Sequence, residues 1–242
     1  MPKTPKTEKP RLVHAALMAL ADSDKAHVQA RFFKTGKGQY AEGDRFLGVT
    51  VPEVRQLARQ FNDLSLAGCK KLLASRYNEE RLLALLILVQ RYRQGYETTQ
   101  QAVFDLYVAN LARVNNWNLV DTSAPYISGP HLLQRPRALL YEWIQSASLW
   151  ERRVAVLSTF AFIRQNDFTD TMRLTESCLQ DPHDLMLKAC GWMLRELGKR
   201  DREVLEDFLQ RHCDAMPRTM LRYAIEHFPP DLRRVYREAR AR

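Results

Sequence analysis

The chain has 242 residues, 45% of them hydrophobic and 27% charged, which is enough to bury a full core as one domain or one continuous array. Its longest apolar run, residues 82–89, is far too short to cross a bilayer. The 37 Lys+Arg against 28 Asp+Glu leave a net charge of +9, which makes nucleic acid the leading partner, ahead of an acidic protein or an anionic membrane face.

The chain opens on MPKTPKTEKPR, basic and proline-bearing with no apolar segment after it. It reads as a short disordered tail over residues 1–10 and not as a secretory signal, which makes the cytoplasm the default location. From residue 11 onward apolar residues recur at intervals of three and four, with 9 glycines and 11 prolines as punctuation, so the expected fold is all-α. Amphipathic helices are predicted over 11–21, 51–61, 78–92, 97–114, 135–145, 149–165, 184–200, 201–212 and 217–228. Pro52 and Pro217 stand where a first-turn proline belongs, and Asp201 precedes acids that suit a helix N-terminus.

Short breaks between helices leave a bundle or a stack, and spacing separates them. Small residues recur as Ala84, Ala155, Gly191 and Ala224, the last two following at 36 and 33 residues. The 71 residues between Ala84 and Ala155 hold about two such units, with Asp121 at the intervening position. A two-helix unit of this period predicts a single HEAT-like repeat α-solenoid over 11–242, with a concave basic face.

Within NNWNLVDTSAP, residues 115–125, Trp117 and Asp121 are spaced i,i+4 and share one helix face. A tryptophan face attracts cations and packs on a sugar, while a carboxylate one turn away can stabilise positive charge on that sugar or orient a water. The plainer alternative is a core aromatic with a helix-end aspartate, capping nearby N–H groups or pairing with Arg113. In the next two repeats Arg153 lies two residues before Ala155, and Trp192 directly follows Gly191. In a stack these residues can face one groove, where Arg153 would clamp a phosphate.

NWNLVD, LWERRVAVL and KACGWMLRELGK, in this order, together with residues 30–59, resemble the DNA alkylation repair family of HEAT-like DNA glycosylases, the AlkD type, over nearly the whole chain. The resemblance implies excision of cationic N3- or N7-alkylated purines from duplex DNA, without metal, cofactor or lyase step and without base flipping. It carries the catalytic role onto Asp121, the aromatic walls onto Trp117 and Trp192, and a DNA-contacting arginine onto Arg153. Phe32 falls where relatives can have tyrosine, and Asn116 where some have a second tryptophan. Arg195, Lys199 and Arg200, and Arg31, Lys34 and Lys37 at the other end, are further candidates for phosphate contact.

Two readings of other classes stand beside this one: a catalytically silent HEAT-repeat protein that binds bent or branched DNA, and a protein-binding scaffold. Asp121, backed by Trp117, separates the enzyme from the first, and the expected convergence of a carboxylate, an arginine and two tryptophans separates it from the second. Other chemistries lack their motifs, since there is no HExxH, no GxSxG and no GxGxxG, and TGKG at 35–38 lacks the rest of a P-loop. The six histidines show no ligand spacing, and Cys69, Cys178, Cys190 and Cys213 read as reduced core thiols, so no metal site or disulfide framework is expected. Nothing signals oligomerisation, and a monomer is the default expectation.

Overall fold

The computed structural model describes residues 9–239, so the predicted tail lies outside the described residues except for Lys9 and Pro10, which open the first helix. Among the described residues the protein is all-α: there is no strand, and the one bridge of sheet type joins Arg45 to Tyr77. The chain divides into two compact units at residues 127 and 128.

The first unit contains α1 (Lys9–Ala19), α2 (Ser23–Phe32), α3 (Val51–Gln60), α4 (Leu66–Leu73), α5 (Asn78–Gln94), α6 (Glu97–Val108) and α7 (Trp117–Ser123). Its hub is α5. Helices α1, α3, α4, α6 and α7 all pack on it, which is why its central run, residues 82–89, is apolar around nearly its whole circumference. Leu83, Leu85, Ile87 and Leu88 are fully buried, each contributing roughly 1.5–3 kcal/mol relative to an exposed position.

The second unit contains α8 (Ser128–Leu132), α9 (Ala138–Trp143), α10 (Leu149–Ser158), α11 (Phe160–Ile163), α12 (Thr169–Ser177), α13 (Asp184–Arg200), α14 (Arg202–His212), α15 (Arg218–Ala224) and α16 (Pro230–Ala239). Here α13 is the hub, packed by α10, α11, α12, α14 and α15. In each unit, successive helices packed on a longer central one give the layered arrangement of a HEAT-like repeat fold.

Of the predicted start signals, Pro52 stands in the first turn of α3 and Asp201 caps α14, whereas Pro217 lies one residue earlier than predicted, as the N-cap of α15. Thr50 and Glu53 form a reciprocal capping box ahead of Pro52, and the Asp201 carboxylate accepts the Val204 N–H at 3.1 Å. The predicted helix over 149–165 is interrupted at Thr159, whose hydroxyl donates to the Val156 carbonyl at 2.7 Å. The stretch 97–114 ends its α-helix at Val108 and finishes in a 3₁₀ turn, Leu111–Arg113. Helices α2, α4, α8, α12 and α16 have no counterpart among the predicted elements. Helix α2 buries none of its residues, so apolar periodicity cannot reveal it.

The small-residue register marks close approaches between helices. A Cβ on Gly191 of α13 would stand 2.5 Å from the Met220 carbonyl oxygen and 2.5 Å from Tyr223 Cβ, both on α15. Alanine normally gains about 1 kcal/mol over glycine inside a helix. Here that gain is opposed by overpacking against backbone, which costs about 1–3 kcal/mol. The expected result for Gly191→Ala is a lowered urea-unfolding midpoint; a raised one would show that α15 yields at no cost.

All four cysteines are free and buried, and burial pushes the Cys69 thiol up to about 11. Among the described residues no helix is long and apolar enough to cross a membrane.

Candidate functional site

Helix α7 carries Trp117 on its first turn and Asp121 one turn later, both half-buried. Seven residues are too few to hold a helix by propensity, so tertiary bonds must fix it. At the N-terminus the cap is Asn116, fully buried, whose side-chain oxygen accepts the Trp117 N–H at 2.8 Å. Its amide nitrogen donates to Asp44 Oδ2 at 3.0 Å. The Asp44 carboxylate also accepts from Asn78 Nδ2 at 3.1 Å and from Arg81 Nη2 at 2.5 Å. Asn118, on α7 itself, donates to Asn78 Oδ1 at 2.7 Å. A buried ion pair and three asparagines thus tie the start of α7 to α5 and to the loop over 33–50.

At the other end Ser123 Oγ donates to the Leu119 carbonyl at 2.6 Å and lies 3.0 Å from the Tyr107 hydroxyl of α6. Burial pushes the Tyr107 phenol well above its ordinary value, opposed by the Ser123 hydroxyl and aided by the nearby Asp121 charge. Arg113 donates to the carbonyls of Leu73, Ala74 and Ser75 at the end of α4.

The loop over 33–50 is itself anchored. Buried Glu79 accepts the N–H groups of Leu47 and Gly48 at 2.9 and 3.0 Å, and its desolvation pushes the carboxyl above the usual range. Gly48 has φ +83°, and a Cβ there would lie 2.0 Å from the Asp22 carbonyl oxygen, so the glycine of FLG is obligatory. The anchored loop places Phe33 against Trp117 and Phe46 against Phe33. Phe33 stacks on Phe46 at 4.8 Å and on Trp117 at 5.0 Å between centroids, with interplanar angles of 17° and 21°. Phe32 is 64% exposed and meets Trp117 edge-on at 5.9 Å. Phe33→Leu keeps bulk but removes two stacked pairs, so a loss of about 1–3 kcal/mol is expected. The check is chemical denaturation together with the Trp117 indole N–H resonance; an unmoved midpoint and resonance would show that α7 alone holds the ring.

Of the remaining predicted residues, Arg31, Lys34 and Lys37 are exposed in the first unit, and the others lie in the second. Arg153, only 5% exposed, donates through Nη1 to the Leu185 carbonyl of α13. It is the one predicted DNA contact that the fold draws inward, because the middle of α10 packs on α13. Trp192 is half-buried and donates from Nε1 to Glu196 Oε1 at 3.1 Å. Lys199 Nζ donates to that same oxygen at 2.8 Å, and Arg195 pairs with Glu226. Glu196 therefore gathers the indole and a lysine of the predicted set.

The structure brings together Trp117, Asp121 and Phe32 on or against α7, and Trp192, Arg195 and Lys199 on α13. Sequence reasoning missed Phe33, Phe46, Asp44, Asn78 and Arg81. It also treated Asn116 as a departure from a tryptophan, where the structure shows a buried cap. The available signal was the density of polar residues in GDRF and YNEER beside an otherwise apolar helix. Among the described residues no group of three or more His, Cys, Asp or Glu side chains is placed to hold a metal ion.

An all-helical repeat fold presenting a carboxylate one turn from a ring defines a class of helical-repeat proteins, and comparison with known proteins gives the family. A sequence profile of the DNA alkylation repair enzyme family matches residues 13–228, and the chain belongs to that family. Among solved structures it is similar to a predicted DNA alkylation repair enzyme from Enterococcus faecalis. The two share 15% identity over 87% of this chain and 97% of that one, with a TM-score of 0.69, so they share a fold. No curated protein matches the chain.

Proposed function

We propose that the protein is a monofunctional DNA glycosylase that hydrolyses the N-glycosidic bond of cationic N3- or N7-alkylated purines, such as 3-methyladenine and 7-methylguanine, in duplex DNA. The observation that carries this reading is Asp121, held one turn from a stacked tryptophan on a helix locked at both ends, in a chain of the DNA alkylation repair family.

The chemistry suits one carboxylate. Alkylation at N3 or N7 leaves the purine positively charged, so the base departs neutral and needs no acid to protonate it. The second carboxylic acid of ordinary glycoside hydrolysis is then superfluous. As the C1′–N bond breaks, positive charge moves onto the deoxyribose. Asp121 stabilises that centre and orients the attacking water. Trp117 packs on the charged nucleotide through its ring, a contact worth about 0.5–2 kcal/mol. Exposed Phe32 extends the same aromatic surface. Trp192, Arg195 and Lys199 serve as DNA contacts of the second unit, while Arg153, buried and bound to the Leu185 carbonyl, supports α13 from within. A lesion contacted through its sugar and backbone can remain in the base stack, in contrast to the extruded base of many glycosylases.

The test is release of free base from duplex DNA containing 7-methylguanine. Time-dependent release by the wild-type protein supports the reading. Absence of release alongside tight, salt-sensitive binding of duplex would replace it with the catalytically silent DNA binder.

A further inference from the structure

Helices α15 and α16 enclose a cleft of about 430 Å³ that the glycosylase chemistry does not use. Arg218 and Arg222 line it from α15, and Arg233 and Arg237 from α16. Each pair is spaced i,i+4, so two rows of like charge, each unfavourable along its own helix, share one cavity. Buried Leu221 and Ile225 also line it, and apolar surface beside the guanidinium groups strengthens their field relative to open water.

Carboxylates nearby are engaged elsewhere. Glu226, which also lines the cleft, is bound by Arg195, and Asp184, which feels the Arg222 charge, is bound by Lys188 at 2.7 Å. Among the described residues none of the four arginines has an ion-pair partner, and Arg233 Nε is buried without a hydrogen-bond acceptor. Arg237 spends its Nε on the Arg233 carbonyl at 3.1 Å, which orients its side chain along the helix. Helix α16 also lies beyond residues 13–228, the stretch shared with the family.

We infer that this cleft is a phosphate-binding site, recognising adjacent phosphate groups of a polyanion through the planar forks of paired arginines. The two sources of that chemistry are the backbone of duplex DNA and a free polyphosphate. The duplex source deepens the glycosylase reading and rests on it only in naming DNA.

The test uses the full chain and undamaged duplex, so that failure of base excision leaves it readable. Duplex affinity is measured by fluorescence anisotropy from about 50 to about 200 mM salt, for wild type, an Arg222→Gln/Arg233→Gln variant and an Arg222→Lys/Arg233→Lys variant. With two fewer phosphates neutralised, at about 0.9 each, the slope of log affinity against log salt should become shallower by about 1.8 in the glutamine variant and stay near wild type in the lysine variant. Titration calorimetry with inorganic tripolyphosphate forms the second arm. An unchanged duplex slope with tripolyphosphate binding abolished in the glutamine variant alone identifies a free polyphosphate as the ligand. Unchanged slope and no tripolyphosphate binding overturn the proposal. If the glutamine variant does not fold, hydrogen exchange on the wild type decides: added duplex or tripolyphosphate should protect the amides of residues 218–238, and no protection by either overturns the site.

Discussion

Asp121→Asn is expected to lower excision of 7-methylguanine from duplex DNA by about 10²–10³-fold, the scale of removing one preorganised electrostatic partner of a developing charge. The substitution keeps size and shape and removes only the negative charge. Asn116, Asp44 and Arg81 fix the start of α7, and Ser123 with Tyr107 fixes its end. The variant should therefore fold and bind undamaged duplex as well as wild type, or slightly better for want of a carboxylate facing phosphates. A single-turnover assay at saturating protein separates chemistry from binding. Excision at the wild-type rate would remove Asp121 from the mechanism, while loss of both binding and excision would indicate a positional role.

The second large effect concerns stability. Arg81 is 2% exposed and pairs with Asp44, also buried, so Arg81→Met leaves an uncompensated charge in the interior. Such a change typically costs about 3–5 kcal/mol, far above the ~0–1 kcal/mol of an exposed pair. The same carboxylate holds Asn116, so the start of α7 should loosen as well and displace Trp117 from Phe33. Urea denaturation gives the magnitude. Adding Asp44→Asn to Arg81→Met should recover part of the loss, since the stranded charge is then gone. A single-variant loss under about 1 kcal/mol would mean that water reaches the pair.

These two expectations divide the site into a reacting group and its support, and the support was the harder part to see. Trp117 and Asp121 are close in sequence, so helical geometry alone places them on one face. Asp44, Arg81 and Asn116 are separated by tens of residues, and each is polar, a type that sequence patterning assigns to the surface. Arg153 shows the converse. Its sequence context suggested a solvent-facing clamp, but α10 rotates it against α13, where the Leu185 carbonyl receives it.

By itself the sequence determined the all-α class, the long helices that contain Leu83 and Gly191, the start signals at Pro52 and Asp201, and the pairing of Trp117 with Asp121. Those features depend on local periodicity, local hydrogen bonding and helical pitch, all written in adjacent residues. Only the tertiary structure decided that Phe33 is sandwiched between Phe46 and Trp117, that a buried ion pair carries the cap of α7, and that four arginines from α15 and α16 share one cleft. Such arrangements depend on which helices meet and how far apart they settle, and packing of distant segments, not the chain's local pattern, sets those distances.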